Sequence, residues 1–235
     1  MSTFTLIGLT VLIAAFVQGS TGLGFALISG PVIGVVAPRL LPVFLLIQMI
    51  PLNGYVIWRE RHAVDGAGTI WISLGRFVGT FGGLGVLILV SEQQLSLLIG
   101  ISTVLAVATT LLAPSFEPGK GAFLTAGLVT GVTETSTGVG GPPLALVYQH
   151  RPAAVLRSTV AACFLIGEVI SLAILAPSGE ITADQVRSAF LLLPAVVVGA
   201  LVSRVVHRRL DGTLLRLVVL GFALVSGVVV TVRAW

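Results

Sequence analysis

Apolar positions in this 235-residue chain run in long blocks, with polar residues confined to short clusters between them. Cutting at charges and at Gly/Pro clusters leaves ten apolar stretches, at 4–17, 25–37, 40–58, 67–90, 94–113, 121–133, 139–149, 156–176, 186–203 and 213–232. A helix needs about 20 residues at 1.5 Å each to cross the hydrocarbon of a bilayer. Six stretches are long enough, whereas 4–17, 25–37, 121–133 and 139–149 fall short. The first stretch has no basic residue before it and no small-residue cleavage pattern after it, so a removable signal peptide is not expected.

The short stretches come as two pairs. The first pair is split by Gln18-Gly19-Ser20-Thr21-Gly22-Leu23-Gly24 and the second by Glu134-Thr135-Ser136-Thr137-Gly138-Val139-Gly140-Gly141. Each pair is either one broken spanning helix or two short helices that go in and return. Basic residues concentrate on the cytoplasmic side, and their distribution separates the two arrangements. Single crossings would split Lys and Arg five (Arg59, Arg61, Lys120, Arg187, Arg233) against six (Arg39, Arg151, Arg157, Arg204, Arg208, Arg209). Returning pairs split them three (Arg39, Arg187, Arg233) against eight (Arg59, Arg61, Lys120, Arg151, Arg157, Arg204, Arg208, Arg209). The second arrangement follows the rule and predicts both termini outside, with the loops around 59–65, 113–120, 150–157 and 204–211 in the cytoplasm.

The two splits also align with each other. Ser20-Thr21-Gly22-Leu23-Gly24 matches Ser136-Thr137-Gly138-Val139-Gly140 at four of five positions, at an offset of 116, and the same offset puts Gln18 opposite Glu134. Further on, Leu95, Leu97 and Ile99 match Leu215, Leu217 and Val219 at an offset of 120. The predicted fold class is therefore all-α: a polytopic membrane protein of two repeats, 1–116 and 117–235, in one membrane domain. Each repeat holds a short helix pair and three crossings. That odd count inverts the second repeat relative to the first, a recurring transporter architecture.

Composition agrees with this reading. The chain is 56% apolar and 9% charged, with a mean hydropathy of +1.09, against roughly 45–50% and 25% in soluble domains. Too few polar side chains exist to cover a water-facing surface, which excludes a soluble enzyme, a nucleic-acid-binding domain and a disordered chain. The net charge of +4 is loop charge facing anionic lipid. The lone Cys163 permits no internal disulfide.

Irregular backbone at membrane depth must be enclosed by protein or water, so the two Gly-rich breaks mark a cavity. A helix starting after each break presents free N–H groups and a positive dipole end, which suits an anion. Gln18, Ser20, Thr21, Gly22 and Gly24, with Ser136, Thr137, Gly138 and Gly140, are the candidate lining of one shared midplane site. The competing reading is a pair of kinks packed for close helix approach, with Ser and Thr satisfying the backbone. Arg76 lies 11 residues past Asp65, and Glu168 lies 11 past Arg157. At ~16 Å from the membrane surface, both come near the midplane.

Intramembrane ionisable residues are costly and functional by default. Arg76 can fork onto two oxygens of an anion, or pair structurally with Glu134 or Glu168. Glu134, at the second break, can exchange a proton during transport, and its repeat mate is the neutral Gln18. Glu168 is a second proton-coupling candidate or a structural partner. Gln48 and Asn53 can line a path or bond across helices. Arg204, His207, Arg208, Arg209 and Arg216 suit lipid headgroups. His62 and His150 have no second ligand at metal spacing, and neither a cofactor nor a catalytic constellation is expected. A passive anion channel built on the same helix ends stays open as an alternative.

Gln18-Gly19-Ser20-Thr21-Gly22-Leu23-Gly24-Phe25, the mid-chain Gly138-Val139-Gly140-Gly141-Pro142-Pro143 and the paired halves together resemble the sulfite exporter TauE/SafE family, also called the toluene sulfonate uptake permeases. The resemblance covers nearly the whole chain. It implies transport of sulfite, sulfoacetate or other organosulfur anions across the bacterial inner membrane. The expected partners are a small anionic substrate and membrane lipids, with no nucleic acid, and the oligomeric state stays open.

Overall fold

Polar side chains do not end the first helix of either pair. In the computed structural model, which describes residues 3–112, 117–206 and 212–233, α1 (Thr3–Thr21) runs past its apolar stretch through Gln18, Ser20 and Thr21. The hydroxyls of Ser20 and Thr21 donate to carbonyls four residues back, so these side chains stay inside the helical hydrogen-bond system. In the same way, α6 (Lys120–Thr137) runs through Ser136 and Thr137, whose hydroxyls reach Val132 and Thr133.

Glycines make the interruption. Gly22 (φ 85°) and Gly24 (φ 122°) separate α1 from α2 (Phe25–Val36), and Gly138 (φ 79°) separates α6 from α7 (Gly141–Tyr148). These left-handed conformations are open to Gly and costly for other residues. Both irregular segments are therefore three residues long, and all four flanking helix ends obey the 116-residue offset.

The remaining helices are α3 (Val43–Glu60), α4 (Gly66–Leu89), α5 (Glu92–Leu112), α8 (Ala153–Leu175), α9 (Ala183–Val206) and α10 (Gly212–Arg233). Among the described residues the secondary structure is helical throughout, with ten α-helices. Five of them, α1, α4, α5, α8 and α9, are long and apolar enough to cross a membrane. The first enters that set through its extension to Thr21. Expected to span, α3 is 18 residues long and less apolar, since it holds Gln48, Asn53, Arg59 and Glu60. Exposed Ile70, Leu74, Phe77, Phe81, Phe190 and Leu191 coat the outside with apolar surface of the kind lipid requires.

Packing pairs α4 with α6, α1 with α9, α3 with α8 and α5 with α10, while α4 also meets α8 and α3 meets α9. Exchanging each helix with the one five places along turns this set of neighbours into itself. The α4/α6 contact is backbone to backbone: a Cβ at Gly75 would lie 2.1 Å from the Leu124 carbonyl, and one at Gly79 would lie 2.2 Å from that of Leu128. Without a hydrophobic drive between helices in lipid, such close approach supplies the attraction.

Asp65 fixes the start of α4. One carboxylate oxygen accepts the Gly68 N–H at 3.1 Å, the other accepts Tyr148 Oη–H at 2.9 Å, and its own N–H donates to Thr159 Oγ1 at 2.9 Å. The ends of α3, α7 and the starts of α4 and α8 therefore share one face of the bundle. Lys120 joins them, with its ammonium 5.4 Å over the Trp71 ring. Arg39, whose carbonyl accepts from Gln185 at the start of α9, belongs to the opposite end. His207, Arg208 and Arg209 lie outside the described residues.

Candidate functional site

The starts of α2 and α7 come to a common depth. At 1.5 Å per residue, α2 reaches its end of the bundle in ~18 Å and α7 the other in ~12 Å, together about one bilayer core. The breaks touch there: a Cβ on Gly141 would lie 3.3 Å from Leu23 Cδ2, and one on Gly30 would lie 2.9 Å from Val139 Cγ2.

A cavity of about 340 Å³ opens at this junction, lined by Ser20, Thr21 and Gly24 of the first break, Gly141 and Pro142 of α7, and Arg151 and Arg157. Its mouth is by exposed Arg151 and Ala153, at the end that carries Arg59 and Lys120. Among the described residues, no Asp or Glu lines it.

The two breaks contribute unequally. Gly22 is turned away and packs on the stem of Arg157, where a Cβ would come within 2.3 Å of Cγ. Ser136, Thr137, Gly138 and Gly140 are enclosed and do not line the cavity. Gly138 abuts Leu45, Gly140 abuts Glu134, and the hydroxyls of Ser136 and Thr137 are committed to backbone carbonyls. Helix-start chemistry differs too. Pro142 and Pro143 remove two N–H groups from the first turn of α7, whereas Phe25, Ala26, Leu27 and Ile28 of α2 all keep theirs.

Beneath the cavity lies a fully buried polar chain. The Phe25 N–H donates to Gln18 Oε1 (3.0 Å), Gln18 Nε2 to Asn53 Oδ1 (2.9 Å) and Asn53 Nδ2 to Glu168 Oε1 (2.6 Å). Gln18 thus caps the first residue of α2, as its place in the sequence beside the break permits.

Arg76 sits on the far side of Glu168, fully buried, and pairs with Glu134. Its Nη1 also donates to the Cys163 carbonyl at 3.0 Å, and the guanidinium lies 5.6 Å from the Phe164 ring centre. Of the three roles open to Arg76 from sequence, the structure places it as the partner of Glu134, away from the cavity lining. Arg76 Nε, Glu134 Oε1 and Glu168 Oε2 have no hydrogen-bond partner among the described residues, nor do both amide atoms of buried Gln48.

In the sequence Arg151 and Arg157 read only as loop charge, and nothing there connects Arg157 with Glu60. Arg157 donates through Nε to Glu60 Oε2 at 3.1 Å and through Nη2 to Oε1 at 3.0 Å. Their separation of 97 positions leaves no local pattern that could announce the pair. Among the described residues, no group of three His, Cys, Asp or Glu could hold a metal ion.

A family model for the sulfite exporter TauE/SafE matches residues 7–230, from the first turns of α1 to the last of α10. No curated protein and no solved structure matches the chain. With several membrane-crossing helices and a family match over nearly its whole length, the chain belongs to the sulfite exporter TauE/SafE family, membrane transporters of sulfur anions.

Proposed function

We propose that the chain carries a small sulfur oxyanion, such as sulfite, sulfoacetate or a similar sulfonate, across the bacterial inner membrane by alternating access. The carrying observation is the cavity where the first break, the start of α7 and two arginines meet, with no acidic group among the described residues of its lining. A sulfonate or sulfite headgroup presents several oxygens to N–H donors. Guanidinium forks and the N–H groups of Ala26 and Leu27 supply them, since Phe25 already donates to Gln18 and Ile28 to the Gly24 carbonyl.

The basic end, with Arg59, Arg61, Lys120, Arg151 and Arg157, is taken as cytoplasmic, so both termini face outside. The halves 1–116 and 117–235 are read as inverted repeats. The matched break ends and the self-exchanging set of helix neighbours support this. At the opposite end a hollow of about 260 Å³, lined by Gly34, Val35, Glu92, Ser96 and Val230 among others, includes no residue of either break. One open end favours a carrier over a pore. Ser136, Thr137, Gly138 and Gly140 then line the site when the far end opens.

Where transport is coupled to protons, Glu168 is the carboxyl we assign to the exchange. Glu134 already has Arg76, while Glu168 is held by the neutral Asn53.

Proteoliposomes loaded with sulfite, sulfoacetate or taurine test the reading under imposed pH gradients. Saturable flux with counterflow is expected for at least one of these anions. Correctly inserted protein that moves none of them overturns it, and flux without counterflow replaces the carrier with a channel.

A further inference from the structure

Arg157 stands between two negative partners, one present and one expected. On one side it lines the cavity; on the other it grips Glu60, which does not line it. Glu60 in turn is shared: Arg59 donates to Glu60 Oε1 through Nη2 at 3.0 Å and through Nε at 3.2 Å. Two guanidiniums thus lean on one carboxylate, leaving a surplus positive charge in a half-buried setting, and Arg59 Nη1 has no partner among the described residues.

The same two arginines hold the first break. Arg59 Nη2 donates to the Gly19 carbonyl at 3.1 Å, and Gly22 is seated on Cα, Cβ and Cγ of Arg157. Displacement of Arg157 from Glu60 therefore moves the surface on which Gly22 rests.

Building on the transporter reading, we propose that Arg157 is the cavity's anion receptor and that Glu60 is its resident competitor. A substrate oxyanion takes the guanidinium donors that Glu60 occupies in the empty state, and the exchange loosens the first break from the end of α3 and the start of α8. No covalent bond is made or broken, and the surplus charge of the Arg59–Glu60–Arg157 cluster is neutralised by the arriving anion. Occupancy of the site is thereby converted into mobility of the break.

Opposite signs in two variants separate this from a plain structural ion pair. Binding of sulfite and of sulfoacetate to purified protein in nanodiscs is measured by calorimetry for wild type, Arg157→Gln, Arg157→Lys and Glu60→Gln. Arg157→Gln should weaken binding about tenfold or more, through loss of a forked, charge-assisted contact. Arg157→Lys should weaken it by a smaller factor, since it keeps the charge but loses the fork. Glu60→Gln should tighten binding several-fold, because the competitor is gone. If Glu60→Gln weakens binding as Arg157→Gln does, or leaves it unchanged, the pair is only a staple and the proposal is overturned. That single variant decides the matter even where Arg157→Gln fails to insert. Wild-type protein that binds neither of these anions nor taurine instead overturns the transporter reading, and this inference with it.

Discussion

Gly167 lacks a side chain because the guanidinium of Arg76 fills the space one would need: a Cβ there would lie 1.9 Å from Arg76 Cζ. Gly167→Ala should therefore expel Arg76 and leave Glu134 without its cation. The expected cost is about 3–5 kcal/mol, the usual loss when one member of a buried pair is removed. Thermal melts in detergent check it, and a melting temperature within a degree of wild type would show that the pocket relaxes freely. For coupling, Glu168→Gln should abolish pH-driven uptake while counterflow persists, and Glu134→Gln should act mainly on stability. Survival of pH-driven uptake in Glu168→Gln would return the role to Glu134. That Arg76, Glu134 and Glu168 lie deep in the bundle was legible from sequence, by counting residues from the charged helix ends, and all three are buried. Which of them pair was not, since Arg76 and Glu134 are 58 residues apart and only the packing of α4 on α6 joins them.

Helix lengths show where sequence patterning reads the elements and where it stops. The two breaks were visible as Gly-rich splits, yet the apolar stretches end at 17 and 133 while the helices continue to Thr21 and Thr137. Apolarity reports contact with lipid or core, and a hydroxyl bonded to its own helix escapes that signal. The close α4/α6 seam was not read from sequence either, although Gly75, Gly79 and Gly83 recur at four-residue spacing. The seam makes an internal comparison available. Gly79→Ala puts a methyl group 2.2 Å from the Leu128 carbonyl, whereas Gly85→Ala on the same helix meets nothing within 4 Å. Gly79→Ala should destabilise by about 1–3 kcal/mol through overpacking. By helix propensity, Gly85→Ala should stabilise by about 0.5–1 kcal/mol. Denaturation of both variants side by side measures the difference, and equal shifts would remove the seam's claim to hold α4 on α6.

For the whole molecule, the returning-pair arrangement expected from loop charge agrees with the contact of Arg157 and Glu60, which gathers the ends of α3 and the start of α8 at one face. Single cysteines at positions 61 and 151, in a Cys163→Ala background, should react with an impermeant thiol reagent only from the cytoplasmic side, and one at 39 only from outside. Reaction of 61 and 39 from the same side would defeat the topology. Depth alone could not reveal the cavity's one-sidedness, because the matching sequences of the two breaks make them look equivalent; Pro142 and Pro143 and the basic cluster break that equivalence. The open mouth has an electrical consequence. Water filling the mouth down to the breaks would carry the bulk potential with it, and the transmembrane voltage would then fall across the ~18 Å that α2 traverses beyond them. A unit charge crossing that layer exchanges about 2.3 kcal/mol with each 100 mV, so the electrical work of carrying an anion from the cavity to the far side would be done in the part of the bundle that α2 traverses.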